Sequence, residues 1–194
     1  DGFLTVAAGQ ISTRVPARKP ETPHPTYCLD APTGEGVISA ELIRHTKAVT
    51  SAASGDESRP LLTALRVESE DGHLRLVATD SYRLVVRDYP EVPWTSEPMN
   101  VPAGAVEAMA GNIEHYGGTD ITLTWTADHL RLVNPATGFT VTAKLINMAH
   151  LPKYKGPDYP NYRTLLTSFM PDGPRRATFD RAGLAALVEA AHMT

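Results

Sequence analysis

The hydrophobic positions of this chain change period in the same order twice. From Val37 the apolar residues recur at helical spacing. Leu42, Ile43, Thr46, Val49 and Ala53 share one face, and Ser39 is placed to cap the first turn. Gly55 and Asp56 end that segment. Three strands follow over 61–69, 73–79 and 82–88, joined by turns at Glu70-Asp71-Gly72 and Asp80-Ser81. In the middle strand Leu74, Leu76 and Ala78 alternate with His73, Arg75 and Val77, the pattern of a half-buried strand. Helical spacing returns after Val101-Pro102, with Val106, Met109 and Ile113 on one side and Gly117-Gly118 closing the helix. Strands follow again over 120–126, 129–134 and 139–146. A third start lies at Ala177-Thr178-Phe179, with Asp180 as cap and Leu184, Leu187 and Val188 as the apolar stripe.

Helix starts thus fall near Ser39, Pro102 and Asp180. The second interval is longer, and its excess sits in a loop over 147–158. One helix with three or four strands is too little to bury a helix face alone. Two such units sharing one continuous antiparallel sheet, with both helices on one face, solve that problem. The expectation is an α+β fold built from two pseudo-symmetric helix-plus-sheet repeats. Ahead of them, residues 3–15 read as two short strands around Ala8-Gly9-Gln10. Pro16, Pro20, Pro23, Pro25 and Pro32 then make an extended connector, because proline fixes φ and lacks an amide donor. The expected division is 1–33, 34–172 and 173–194.

The outer faces of the helices differ in charge. Arg44, Lys47 and Ser51 cluster opposite the apolar face of the first helix, whereas Glu107, Gly111 and Glu114 do so on the second and Ala182, Ala186 and Glu189 on the third. Two cations alone fit an ordinary solvated helix face better than a phosphate-binding stripe. The net charge of −4 at pH 7 points the same way, since a protein that grips DNA by its phosphates is usually basic. With 42% hydrophobic and 21% charged residues, the chain has the balance of a soluble globular protein. The single cysteine, Cys28, rules out an intrachain disulfide and suits a reducing cytoplasm. No apolar run is long enough to span a bilayer. The chain opens on Asp1-Gly2 without methionine, so it is expected to be part of something longer.

No catalytic or cofactor pattern is legible. The seven histidines lack helical zinc spacing, Cys28 has no cysteine partner, and neither a glycine-rich phosphate loop nor a nucleophile elbow occurs. Asp80 and Ser81 fit a tight turn that bonds its own backbone better than they fit a catalytic pair. Arg83 stays protonated and suits docking rather than acid–base work. The expectation is a non-enzymatic protein without metal or cofactor.

Two segments carry a family resemblance. One runs Arg59-Pro60-Leu61-Leu62-Thr63-Ala64-Leu65-Arg66-Val67-Glu68 and continues at Leu74-Arg75-Leu76-Val77-Ala78-Thr79-Asp80-Ser81-Tyr82-Arg83-Leu84-Val85-Val86-Arg87. The other is Tyr159-Pro160-Asn161-Tyr162-Arg163-Thr164-Leu165-Leu166. Both resemble the central domain of the bacterial DNA polymerase III beta sliding clamp, from about Gly36 to Pro171. The flanking pieces resemble the end of that family's first domain and the start of its third.

The resemblance implies a DNA-clamp fold and a processivity role. Two full-length chains close head to tail around double-stranded DNA, held topologically, with helices lining the hole and sheets forming the rim. Arg44 and Lys47 would then face DNA. It also implies a pocket for short linear motifs of DNA polymerases, the clamp loader and repair proteins, here formed by Leu62, Thr79, Ser81, Tyr82, Arg83, Leu84, Pro160 and Leu165. Leu62, Leu84, Pro160 and Leu165 offer apolar anchoring, and Thr79 and Arg83 offer polar ends. Leu62 and Leu84 equally suit core positions in apolar strands, whereas Tyr82 and Arg83 at a turn suit exposure. The loop over 147–158 precedes Pro160 and could cover or extend that pocket. An alternative is a shortened or phage-type clamp paralogue that binds clamp partners without encircling DNA. An enzyme of nucleotide metabolism on a related fold is disfavoured by the missing catalytic constellation.

Overall fold

A computed structural model of the chain describes residues 2–8, 11–17, 31–147, 151, 159–169 and 180–191. Residues 18–30 of the connector with Cys28, most of the loop over 147–158 and the third start at 177–179 lie outside the described residues. The chain divides into two compact units, Asp1–Asp158 and Tyr159–Thr194.

The first unit opens with an antiparallel hairpin of β1 (Gly2–Ala8) and β2 (Ile11–Ala17), whose register places Ala8 opposite Ile11. Then come β3 (Gly34–Ser39), α1 (Ala40–Thr50), a 3-10 helix (Pro60–Thr63), β4 (Ala64–Glu70), β5 (His73–Thr79) and β6 (Leu84–Pro93). The second repeat has the same order: β7 (Met99–Pro102), α2 (Ala103–Tyr116), β8 (Asp120–Trp125), β9 (His129–Asn134) and β10 (Phe139–Lys144). Segment 61–63, expected as strand, is the 3-10 helix, because Pro60 opens a tight turn there. The strand expected from Tyr82 begins at Leu84 and runs on to Pro93, which leaves Tyr82 and Arg83 in the turn.

Strands β3 and β7 are absent from the sequence reading, and they decide the topology. Each lies directly before a helix, and each pairs with the strand that follows the other helix. β7 pairs antiparallel with β4, Leu65 facing Val101, and β3 pairs antiparallel with β8, Ile38 facing Ile121. The result is two four-stranded sheets, in the orders β6-β5-β4-β7 and β10-β9-β8-β3. The α+β class with two helix-plus-sheet repeats is as expected, but the expected single continuous sheet is divided. β10 ends at Lys144. The Leu145 N–H donates to the Asp128 carbonyl at 2.7 Å, which carries the β9–β10 register one residue further, and no ladder pairs β10 with β7. The seam is instead bridged at Asn100. Its carbonyl accepts from the Ile146 N–H at 2.9 Å, and its Nδ2 donates to the Ile146 carbonyl at 3.1 Å.

The two helices pack against each other and share one core with the inward rows of both sheets. Leu42, Ile43 and Val49 of α1 and Val106, Met109 and Ile113 of α2 are all buried there, as their spacing predicts. Ser39 caps α1 by accepting from the Leu42 N–H at 3.2 Å, a contact of the kind that stabilises a helix by about 1 kcal/mol. Glu41 in the first turn and Lys47 in the last turn also complement the helix dipole. In β5 the row Leu74, Leu76, Ala78 faces the core as expected. Val77 on the opposite row is fully buried as well, with Thr79 beside it in the same row, so that end of the strand is covered on both faces. Gly34 stands opposite Trp125, and a Cβ there would fall 2.3 Å from the indole, so only glycine lets the ring lie across β3.

In the second unit, α3 (Tyr162–Phe169) starts where Asn161 Oδ1 accepts from the Thr164 N–H at 3.4 Å. α4 (Arg181–Ala191) starts where Asp180 Oδ2 accepts from the Gly183 N–H at 2.7 Å, which is the cap expected there. Leu184 and Val188 of α4 are exposed. Among the described residues no helix is long and apolar enough to cross a membrane, and no group of three or more His, Cys, Asp or Glu could hold a metal ion.

Candidate functional site

The residues at the turn between β5 and β6 form a self-bonded loop. Asp80 Oδ1 accepts from the N–H groups of Tyr82 and Arg83, both at 2.9 Å, and Oδ2 accepts from Arg83 Nε at 2.9 Å. Those bonds, the Arg83 amide first and the Tyr82 amide next, hold the Asp80 carboxyl below its usual pKa. Thr79 Oγ1 donates to the Arg83 carbonyl at 2.8 Å and accepts from the Ser81 N–H at 3.2 Å. This is the backbone-bonding role expected of Asp80. Ser81 takes φ 83°, a left-handed conformation that a non-glycine residue adopts only when its surroundings enforce it.

The consequence is display. Tyr82 is 95% exposed, and Arg83 is exposed with its guanidinium steadied on Asp80. Thr79 is buried as the polar floor of the turn, and Leu84 is half-buried where β6 begins. Leu62 lies in the 3-10 helix, where it is buried but outside the main core cluster. One residue ties that helix to the turn. Arg59 Nη1 donates to Ser81 Oγ at 3.3 Å, its Nε donates to Asp56 Oδ2 at 2.9 Å, and its carbonyl accepts from the Leu62 N–H at 2.9 Å. Arg59 opens the segment that carries the family resemblance. The only signal of this tie was its place three residues before Leu62.

Six of the eight expected pocket residues, Leu62, Thr79, Ser81, Tyr82, Arg83 and Leu84, therefore belong to one small region of the first unit. Pro160 and Leu165 belong to the second unit. Pro160 is half-buried just before α3, its carbonyl accepting from the Tyr162 N–H at 2.8 Å. Leu165 is 46% exposed on α3. The helix over Tyr162–Phe169 is not among the elements expected from the sequence. Asn161 as an N-cap ahead of Tyr162 was the available signal.

The helix face has its own arrangement. Arg44 is exposed and makes no ion pair with a described residue. Lys47 Nζ is salt-bridged to Glu114 Oε2 of α2, across the helix pair. The sequence placed these two residues on separate outer faces, and the packing of α1 on α2 brings them together.

A cavity of about 420 Å³ opens elsewhere, at the sheet seam, lined among others by Met99, Asn100, Trp125 and Ile146. It contains none of the expected site residues.

With this geometry in view, the relatives are informative. Over 165 residues the chain is 32% identical to the beta sliding clamp of Micrococcus luteus, covering 83% of this chain and 48% of that protein. It is 30% identical to the beta sliding clamp of Streptomyces coelicolor over 129 residues, covering 64% of this chain and 34% of that protein. Its fold is similar to that of the C. crescentus beta sliding clamp, with a TM-score of 0.67 at 23% identity, covering 84% of this chain and 42% of that one. The chain thus spans about half, or less, of the length of the relatives it matches. Residues 37–153, which hold α1, α2 and both four-stranded sheets except the first half of β3, match the family described as DNA polymerase III beta subunit, central domain, and the chain belongs to that family.

Proposed function

We propose that the protein is a DNA sliding clamp, a non-catalytic processivity factor of the replicative polymerase that acts in the cytoplasm. Two full-length chains would close into a ring around duplex DNA, and no strong phosphate grip would be needed. One observation carries this reading. The chain belongs to the clamp family over the stretch in which its two repeats put paired helices and two antiparallel sheets around one core. The division into 1–33, 34–172 and 173–194 belongs to the same reading, as the end of one clamp domain, a central domain and the start of a third. The acidic net charge is consistent with retention by enclosure.

The docking site for linear motifs is assigned to Leu62, Thr79, Ser81, Tyr82, Arg83, Leu84, Pro160 and Leu165. Its support is the displayed Tyr82-Arg83 pair beside the buried Leu62 and Thr79, held by Arg59. Truncation of an anchoring side chain costs on the order of 1–2 kcal/mol at such a site. Arg83→Ala and Leu165→Ala in the full-length protein are therefore each expected to weaken a clamp-binding peptide about tenfold, as read by fluorescence anisotropy. Unchanged affinity in both variants would remove the pocket assignment. Encirclement is tested separately by loading full-length protein on nicked circular DNA. Retention on the circle and loss on linearisation are expected, and equal retention on both forms would remove the clamp reading.

A further inference from the structure

The solvent-exposed charges of the helix pair do not add up to a DNA-binding surface. α1 carries Glu41, Arg44 and Lys47, and α2 carries Glu107 and Glu114. That is two cations against three carboxylates among the lysines, arginines and acidic residues of the two helices. One of the two cations is already engaged, since Lys47 is bonded to Glu114. Glu41 and Glu107 are exposed on the same two helices. A duplex facing this pair would therefore meet Arg44 as the one cation that no described residue pairs.

We propose that Glu114 is an electrostatic brake on DNA adhesion, holding Lys47 in an interhelical ion pair so that the helix face stays too weakly attractive to stall on the duplex. The proposal rests on the clamp reading for the identity of the polyanion and adds how its contact is kept weak. The physics favours the brake over a structural role. Half-exposed ion pairs contribute little to stability, so Glu114 is not needed to hold α1 on α2, where buried Leu42, Ile43, Val106 and Met109 do that work. Each lysine that contacts a phosphate, by contrast, releases condensed counterions and steepens the salt dependence of binding by about 0.9 in log–log slope. A carboxylate bonded to Nζ competes with phosphate for the same ammonium protons.

The test measures binding of the full-length protein to a short linear duplex, where enclosure cannot retain DNA, across a series of salt concentrations. Glu114→Ala is expected to tighten binding roughly three- to tenfold at low salt and to steepen the log–log slope by about 0.9. Glu107→Ala removes the same charge from the same helix without touching Lys47 and is expected to change affinity less than about twofold. The double variant Lys47→Ala/Glu114→Ala is expected to return to the wild-type curve, which also controls for folding. An unchanged slope in Glu114→Ala, or equal gains in Glu114→Ala and Glu107→Ala, would overturn the brake. Failure of retention on nicked circular DNA bears on the clamp reading alone, because the linear-duplex series reads the Lys47–Glu114 pair whether or not a ring forms.

Discussion

The turn after β5 and the turn after β9 occupy equivalent places in the two repeats and are built for opposite ends. After β9 the key residue points inward. Asn134 is fully buried, donates to Asn112 Oδ1 and to the Gly117 carbonyl, each at 2.9 Å, and accepts from the Ala136 N–H at 3.1 Å. It thereby ties the turn to the C-terminal end of α2, and Gly118 beside it, at φ 142°, leaves room for that side chain. The positive φ of this turn itself falls on Gly138. After β5 the positive φ falls on Ser81 instead, the anchoring bonds stay within the loop apart from the Arg59–Ser81 contact, and Tyr82 and Arg83 project into solvent. The same frame thus holds an inward anchor in one repeat and outward side chains in the other, and the outward pair is where docking is proposed.

That contrast can be broken at the anchored turn first. Asn134→Ala removes the partner of the Gly117 carbonyl, the Asn112 amide oxygen and the Ala136 amide, in a fully buried setting. It should cost about 2–3 kcal/mol in urea unfolding, whereas Tyr82→Ala stays within about 0.5 kcal/mol of the parent. Equal losses would erase the distinction between the two turns. Next, Ser81→Gly relieves the left-handed strain and should stabilise by about 0.5–1 kcal/mol, less whatever the Arg59 contact contributes. It should also loosen the displayed pair and weaken peptide binding, and a variant that becomes less stable would show that the turn carries no strain.

The smallest effect is the acid dependence. Asp80 has a depressed folded-state pKa, so its stabilisation is fully present above its unfolded value. It is lost as pH falls through the folded one. The stability difference between the parent and Asp80→Asn should therefore be largest near neutrality and shrink below about pH 4. A constant difference across that range would remove the charge-assisted bonds from the account.

Local chemistry was the legible part of this fold. Ser39 and Asp180 as caps, Gly117-Gly118 as a helix stop, and Asp80 as a turn former each act through bonds to near neighbours, so residue type and spacing suffice. The exposure of Tyr82 and Arg83 followed from the same turn. Strands β3 and β7 were hidden because Val37-Ile38 and Val101-Pro102 run straight into helices whose periodicity dominates the pattern, and their partners are remote in sequence. The division of the sheet was illegible for a related reason, since the seam rests on Asn100 meeting Ile146, 46 positions away. At the site, the Arg59–Ser81 and Lys47–Glu114 contacts join residues 22 and 67 positions apart, which no local pattern encodes. The Asn147 end of the long loop was foreseen only as an insertion, and most of that loop is outside the described residues.

Because each repeat lends its leading strand to the sheet of the other, neither half owns a complete sheet. Pulling one half free would strip an edge from both sheets at once and open the common core between them. The pair is interlaced like clasped hands, so load applied across it is shared by two ladders in parallel, and the domain loosens as a whole or not at all.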